Sequence, residues 1–215
     1  MEYFNNELNS GLVWLPELGM GRFPVLPERP YDERYFMRYQ VMGDTSMGCR
    51  LTDARINLVR RHYQGTLLDV GIGAGQFVAS RPETLGYDVN PAGVDWLMTR
   101  GLWAELYTEH YPALSFWDSL EHIDRPDVAV SHAAKWVFVS VPLFENAEHI
   151  LHSRHYRRDE HIWYWTHDGF MRWFNMQGFD CAEFNTEESE IGRDGIGSYA
   201  FCRRSNQTTV NVSRG

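Results

Sequence analysis

The chain has 215 residues, enough for one well-buried domain and short for two. A net charge of −9 argues against a protein that grips nucleic acid by general electrostatics, and no apolar run approaches the about 20 residues of a membrane span. Three separated cysteines (Cys49, Cys181, Cys202) offer neither a disulfide framework nor a Cys-based zinc spacing. The opening MEYFNNELNSG lacks a basic-then-apolar leader pattern, which predicts a cytoplasmic protein in which the sequons at Asn206 and Asn211 go unused. The aromatic share, with eight Trp, fits a large core.

Residues 1–30 carry four prolines (Pro16, Pro24, Pro27, Pro30) and glycines at 11, 19 and 21, which predicts irregular structure packed down by Trp14 and Phe23. Tyr31 to Gln40 reads as a helix with Tyr31, Tyr35, Phe36 and Tyr39 on one face. A polar loop from Gly43 to Gly48 follows, then a helix from Leu51 to Tyr63 with Ile56, Val59 and Tyr63 on one stripe. These two helices either roof a ligand mouth or pack on the flank of a sheet.

Leu67, Leu68 and Val70 form an apolar run that breaks into Gly71-x-Gly73-x-Gly75. A buried parallel strand entering a glycine turn and then a helix is the pattern of a nucleotide-type site, because a ligand must approach bare backbone there. A second apolar run, Thr84 to Val89, includes Asp88, an acceptor placed for a ribose diol. A dinucleotide fingerprint would need glycine at Gln76, so the pattern disfavours an NAD-type oxidoreductase.

Between these runs, Gln76 to Arg81 is a short helix stopped by Pro82. Asn90 caps a helix that opens on Pro91 and reaches about Thr99. Trp103 to Tyr107 is the expected third strand and Ala113 to Trp117 the fourth; Pro126 to Ala134 is helical, and Trp136 to Val141 is a buried strand closed by Pro142. Glu145 to Trp165 holds His149, His152, His155 and His161, with His167 beside it and Arg154, Arg157 and Arg158 within. The arginines suit a phosphate or carboxylate and Trp163 or Trp165 a planar ring, whereas His152-x-x-His155 lacks further metal ligands. Thr166 caps a helix from Asp168 to Met176 that Gly178 ends, and Phe179 to Phe184 with Ser198 to Cys202 alternate as a hairpin. The whole predicts an α/β doubly wound, Rossmann-like sheet. Residues 1–203 form one domain, with a helical lead-in (1–64), a substrate-side insert (about 143–166) and a disordered tail (204–215).

LLDVGIGAG resembles the first motif of class I S-adenosylmethionine-dependent methyltransferases, and GYDVNP their second. FWDSLEHIDRPD is similar to the segment after strand four in the branch that includes ubiquinone-biosynthesis O-methyltransferases. The resemblance spans about residues 31 to 203 and implies a seven-stranded sheet with an antiparallel C-terminal hairpin. It implies S-adenosylmethionine as methyl donor. Asp69 would orient the methionine amino group, Gly71, Gly73 and Gly75 would line the methionine side, and Asp88 would hold the ribose. Trp117 and Leu120 would lie near the sulfur, and Arg55 resembles an arginine that binds the cofactor carboxylate.

Asp118-x-x-Glu121-His122 carries three readings: oxygen ligands to a divalent cation as in some members resembled, His122 as general base, or a hydrogen-bonded loop. We take His122 as the catalytic base and assign no metal. The expected acceptor is a small molecule or nucleotide-like compound methylated at oxygen, with nucleic acid not favoured and no membrane partner. A non-catalytic cofactor-binding scaffold of the same fold is the alternative, prompted by Ala133-Ala134-Lys135-Trp136 where a Gly-Gly turn is usual.

Overall fold

The structure, a computed structural model, describes residues 11–23 and 31–205. At its centre is a six-stranded mixed sheet built from β3 (Leu67–Val70), β4 (Thr84–Tyr87), β5 (Tyr111–Trp117), β6 (Ala133–Pro142), β8 (Phe179–Asn185) and β9 (Ile196–Arg203), in the order β4-β3-β5-β6-β9-β8. The β3, β4, β5 and β6 pairings are parallel, while β9 runs antiparallel to both β6 and β8. The antiparallel hairpin is as expected; the seventh strand is not. Trp103 makes a single parallel bridge to Gly86, after which the Glu105 carboxylate accepts the Tyr107 N–H and turns the chain away.

One face of the sheet packs on α7 (His167–Met176), where Phe170, Trp173 and Phe174 meet Tyr199 and Phe201. The rings of Phe174 and Phe201 stack with centroids 3.8 Å apart. The other face is covered by α2 (Ser46–His62) and α3 (Gln76–Ser80) through Leu58, Val59, Phe77 and Trp117. Both faces are therefore dry, as a parallel sheet requires. Part of the aromatic surplus goes into these layers, where Trp117, Trp165 and Trp173 are buried, while Trp14 is buried in a separate cluster with Phe23, Phe144 and Tyr164.

The expected polar loop at Gly43–Gly48 is largely helical. Thr45 accepts the Gly48 N–H and caps α2 five residues earlier than periodicity places it, so α1 (Glu33–Gly43) and α2 are nearly continuous. A Cβ at Gly48 would lie 2.3 Å from the Gly43 carbonyl oxygen, so this close turn excludes a side chain there. α4 (Pro91–Met98) and α7 begin at Asn90 and Thr166 as the capping signals predict.

The N-terminal segment is not wholly irregular. β1 (Val13–Leu15), β2 (Met20–Arg22) and β7 (Trp163–Trp165) form a small antiparallel sheet that ties the chain's beginning to its insert. The insert also carries α6 (Ala147–His152), and the hairpin loop carries α8 (Glu187–Ile191). The predicted disordered tail lies outside the described residues from position 206 onward. Among the described residues no helix is long and apolar enough to cross a membrane.

Candidate functional site

The strand order reverses at β3, with β4 on one side and β5 on the other, and in open α/β sheets a crevice forms at such a switch point. Three glycines leave β3 with φ of 78° (Gly71), 58° (Gly73) and 79° (Gly75), all in the left-handed region. Their surroundings differ. A Cβ at Gly71 would sit 2.6 Å from Ser119 Cβ, and one at Gly75 would sit 2.7 Å from the Trp96 ring. At Gly73 the nearest atom is Tyr39 Cδ1, 3.7 Å away. Gly71 and Gly75 are packed; Gly73 is the bare backbone that faces the mouth.

Asp69 lies beneath this turn, 1% exposed, and accepts a hydrogen bond from Ser115 Oγ at 2.6 Å. Burial pushes its carboxyl up to about 7 against the opposing pull of the Ser115 hydroxyl and the Arg55 charge. Asp88 follows β4 and accepts the Asn90 N–H at 2.8 Å. Burial raises its carboxyl, opposed by the backbone N–H groups of Asn90, Ile72 and Val89. Leu120 is fully buried in the main core, and Trp117 packs edge-on against Phe77 beneath the Arg55 guanidinium.

α1 lies across the mouth. Tyr31, Tyr35 and Tyr39 form a ladder on one face of the lead-in, with ring centroids 5.1 and 4.8 Å apart. Tyr39 stands over Gly73, and the Tyr31 hydroxyl is 3.2 Å from His122 Nδ1. Asn90 fastens the helix start by donating to the Asp32 carbonyl at 3.0 Å. The roof reading of this helix is the one its contacts support.

The turn after β5 separates two polar clusters. Asp118 has φ of 53°, a strained value for a residue with a Cβ. Its carboxylate takes a hydrogen bond from Arg55 at 2.9 Å and two from Arg193, one through Nη1 and one through Nη2 at 2.8 Å. Glu188, 1% exposed, receives Arg55 in a fork at 2.8 and 3.1 Å and also Arg193 at 2.8 Å. Against its burial, the two arginines hold the Asp118 carboxyl down to about 2. Arg55 is thus engaged by two protein carboxylates, with its guanidinium 5.4 Å from the centre of the Trp117 ring.

Glu121, His122 and His161 make the second cluster, with one ligand-type atom of each lying within 4.8 Å of the others. His161 arrives from the insert because Ile162 donates its N–H to the Glu121 carbonyl while its own carbonyl receives Phe23, at 2.8 and 3.0 Å. The rings of His122 and His161 meet edge to face at 4.7 Å. Both Glu121 carboxylate oxygens and His161 Nδ1 are buried without a hydrogen-bond partner. Burial, reinforced by Asp118, drives the Glu121 carboxyl well above its ordinary value, and burial drives His161 well below its own.

Among the described residues, the other arginines and histidines of the insert have separate partners, while Trp163 lines a small apolar cavity with Leu15, Met20 and Arg22. Arg154 donates to the Asp194 carbonyl, Arg157 pairs with Glu160 at 2.9 Å, and Arg158 lies 6.0 Å from the Phe23 ring centre. His152 and His155 bind separate backbone carbonyls, of Glu148 and Asp194. Trp165 is 1% exposed in the core, so it cannot stack on a ligand, and Trp163 donates its indole N–H to the Ile123 carbonyl. Sequence reading missed Ser115, Glu188, Arg193 and the partnership of His161 with Glu121, since each joins residues at least 40 positions apart or lies in the loop between the last two strands.

Residues 45–183 match the family model of a methyltransferase domain. The chain belongs to this methyltransferase family. Solved structures similar to this methyltransferase-domain chain include a chain of the Haloferax volcanii complex between the Trm112 methyltransferase activator and a methyltransferase (TM-score 0.62, 12% identity, covering 80% of this chain and 96% of that one). Magnesium protoporphyrin IX methyltransferase of Synechocystis PCC 6803 with bound SAH aligns at TM-score 0.58 and 11% identity, over 81% and 96% of the two chains. The 1,6-didemethyltoxoflavin-N1-methyltransferase of Burkholderia thailandensis, with bound 1,6-didemethyltoxoflavin and S-adenosylhomocysteine, aligns at 0.55 and 10%, over 86% and 96%. At these identities the likeness is one of fold. No curated protein matches the sequence significantly. The ubiquinone-type branch suggested by FWDSLEHIDRPD is not reached by these matches, which establish the methyltransferase domain alone.

Proposed function

We propose that this methyltransferase uses S-adenosylmethionine and methylates a small-molecule or nucleotide-like acceptor at oxygen. The observation that carries the reading is the open backbone at Gly73, set between the buried Asp69 and the ribose-side Asp88 and roofed by Tyr39. Two S-adenosylhomocysteine-type complexes among the similar folds support the donor, and the resemblance of FWDSLEHIDRPD supports oxygen as the acceptor atom. The donor, when bound, supplies an electrophilic methyl on sulfur.

The residues fit that donor. Gly71, Gly73 and Gly75 keep side chains out of the methionine path, Asp69 faces its amino group from below, and Asp88 accepts from the ribose hydroxyls. Trp117 and Leu120 shape the floor near the sulfur from within the core. Arg55 acts through Asp118 and Glu188, fixing the turn that presents His122, rather than by meeting the donor's carboxylate itself. The tyrosine ladder gives a planar acceptor faces to lie against, and His122, steadied by Tyr31, takes the hydroxyl proton as the methyl moves. Calorimetric titration with S-adenosylmethionine and S-adenosylhomocysteine tests the reading: saturable one-to-one binding of both is expected, and binding of neither overturns it.

A further inference from the structure

We infer that Gln76 and Asn90 are positioning residues that hold the α1 roof to the donor cradle, so that an occupied cradle fixes the wall against which the acceptor lies. The inference rests on the reading of the cradle as the S-adenosylmethionine site and adds how the donor and acceptor sides communicate. The buried residues of α1 are Phe36 and Gly43. Phe36 packs with Ile72 of the glycine turn, Val78 of α3 and Leu97 of α4, in a cluster separate from the main core. On the outer face Met37 and Val41 are 55% and 72% exposed, so among the described residues the helix is held from below. Beyond its junction with α2, the roof rides on the donor-binding elements.

Two side chains pin its ends. At the start, Asn90 Nδ2 donates to the Asp32 carbonyl at 3.0 Å, while the Asn90 N–H goes to the Asp88 carboxylate at 2.8 Å. Asn90 is buried, so one residue ties the ribose-side acid to the beginning of the roof. At the other end Gln76, the first residue of α3 after Gly75, lays its amide on Gly43: a Cβ at Gly43 would fall within 2.0 Å of three atoms of that amide. Gln76 Nε2 also donates to the Asp44 carboxylate at 3.5 Å. Gln76 breaks the dinucleotide spacing, and its side chain is what reaches the roof from the glycine turn; a glycine at that position would make neither contact. Between the pins, Tyr39 is the nearest group above Gly73, so a molecule laid on that backbone touches the roof. From Tyr39 the ladder runs through Tyr35, whose hydroxyl donates to that of Tyr39 at 3.2 Å, to Tyr31 and His122. A ligand shifts a conformational equilibrium only through contacts that differ between the states, and Tyr39 is where the donor makes one. Ordering α1 from beneath orders the ladder on it, so the acceptor meets a finished wall only once the donor is bound.

Hydrogen exchange of the full chain, read by mass spectrometry with and without S-adenosylhomocysteine, is the test. The product should slow exchange at residues 71–90 and also, by about tenfold, at residues 33–43, a coupling of ordinary size. Asn90→Ser keeps a capping oxygen for α4 and removes the amide that reaches Asp32. This variant and Gln76→Ala should each retain the slowing at 71–90 and lose it at 33–43. Gly43→Ala, whose Cβ displaces the Gln76 amide, should behave like Gln76→Ala. A merely structural role would speed exchange at 33–43 equally with and without the product and leave their ratio unchanged. In the unaltered chain, slowing at 71–90 without slowing at 33–43 overturns the inference and leaves the donor reading standing, an outcome that needs no variant to fold. Equal slowing of 33–43 in the unaltered chain and in the Asn90→Ser and Gln76→Ala variants overturns it too. Slowing at neither segment overturns the donor reading, and the inference with it.

Discussion

Two polar clusters flank the turn after β5, within four residues of chain, and they have opposite fates. Around Asp118 and Glu188 every charge has a partner: two arginines and two carboxylates interlock α2, the β5 turn and the α8 region. Around Glu121 and His161 the charge-bearing atoms are buried and lack one. The first arrangement is scaffold, since a satisfied network in a low-dielectric setting fixes one geometry. The second costs stability to maintain, and such a cost persists where the groups have work to do.

The contrast can be broken from either side. The largest effect is expected from Glu188→Ala, which strands Arg55 and Arg193; a loss of about 3–5 kcal/mol in unfolding free energy, measured by denaturant titration, is the expected outcome. Asp69 stands between the two cases, buried with one hydroxyl donor. Its folded-state value of about 7 lies above the ordinary 3.8, so its contribution to stability is full below the ordinary value and is lost as pH rises through about 7. Stability measured across that window should fall with pH by up to about 1 kcal/mol per unit, and Asp69→Asn should flatten the slope. Glu121→Gln, at neutral pH, should leave stability unchanged or raise it by about 1–2 kcal/mol, opposite in sign to Glu188→Ala. A large loss from Glu121→Gln would erase the distinction between the clusters.

In the cradle, stability and binding should respond separately. Gly73→Ala meets no clash and carries only the left-handed backbone penalty of about 1–2 kcal/mol, yet it should weaken S-adenosylmethionine binding by about tenfold or more in calorimetry. Gly75→Ala adds a 2.7 Å clash with Trp96 to the same penalty and should cost more in thermal melts. Equal melting losses with no change in binding for Gly73→Ala would mean that all three glycines serve the turn.

Local signals carried much of the architecture. Asn90 and Thr166 cap helices where their side chains predict, and the glycine turn follows β3 because only residues tolerant of positive φ continue there. What escaped was nonlocal. Val13–Leu15 and Met20–Arg22 are too short to show alternation, and their pairing is decided by Trp163–Trp165, far along the chain. Trp103 to Tyr107 has strand-like residues but keeps one bridge, because Glu105 turns the backbone. His161 looked like one histidine among several in a polar insert; its meaning depends on Glu121, which only the fold brings beside it.

The pairing of Met20 with Trp165 closes a span of most of the chain, and loops of that size form slowly because their ends must find each other. During synthesis, β1 and β2 emerge early and can pair with each other, but β2 lacks its second partner until β7 leaves the ribosome. The Rossmann-like body can complete its parallel core without them. His161 sits two residues before β7, so Glu121 and His122 wait for it until long after the glycine turn that follows β3 has been made.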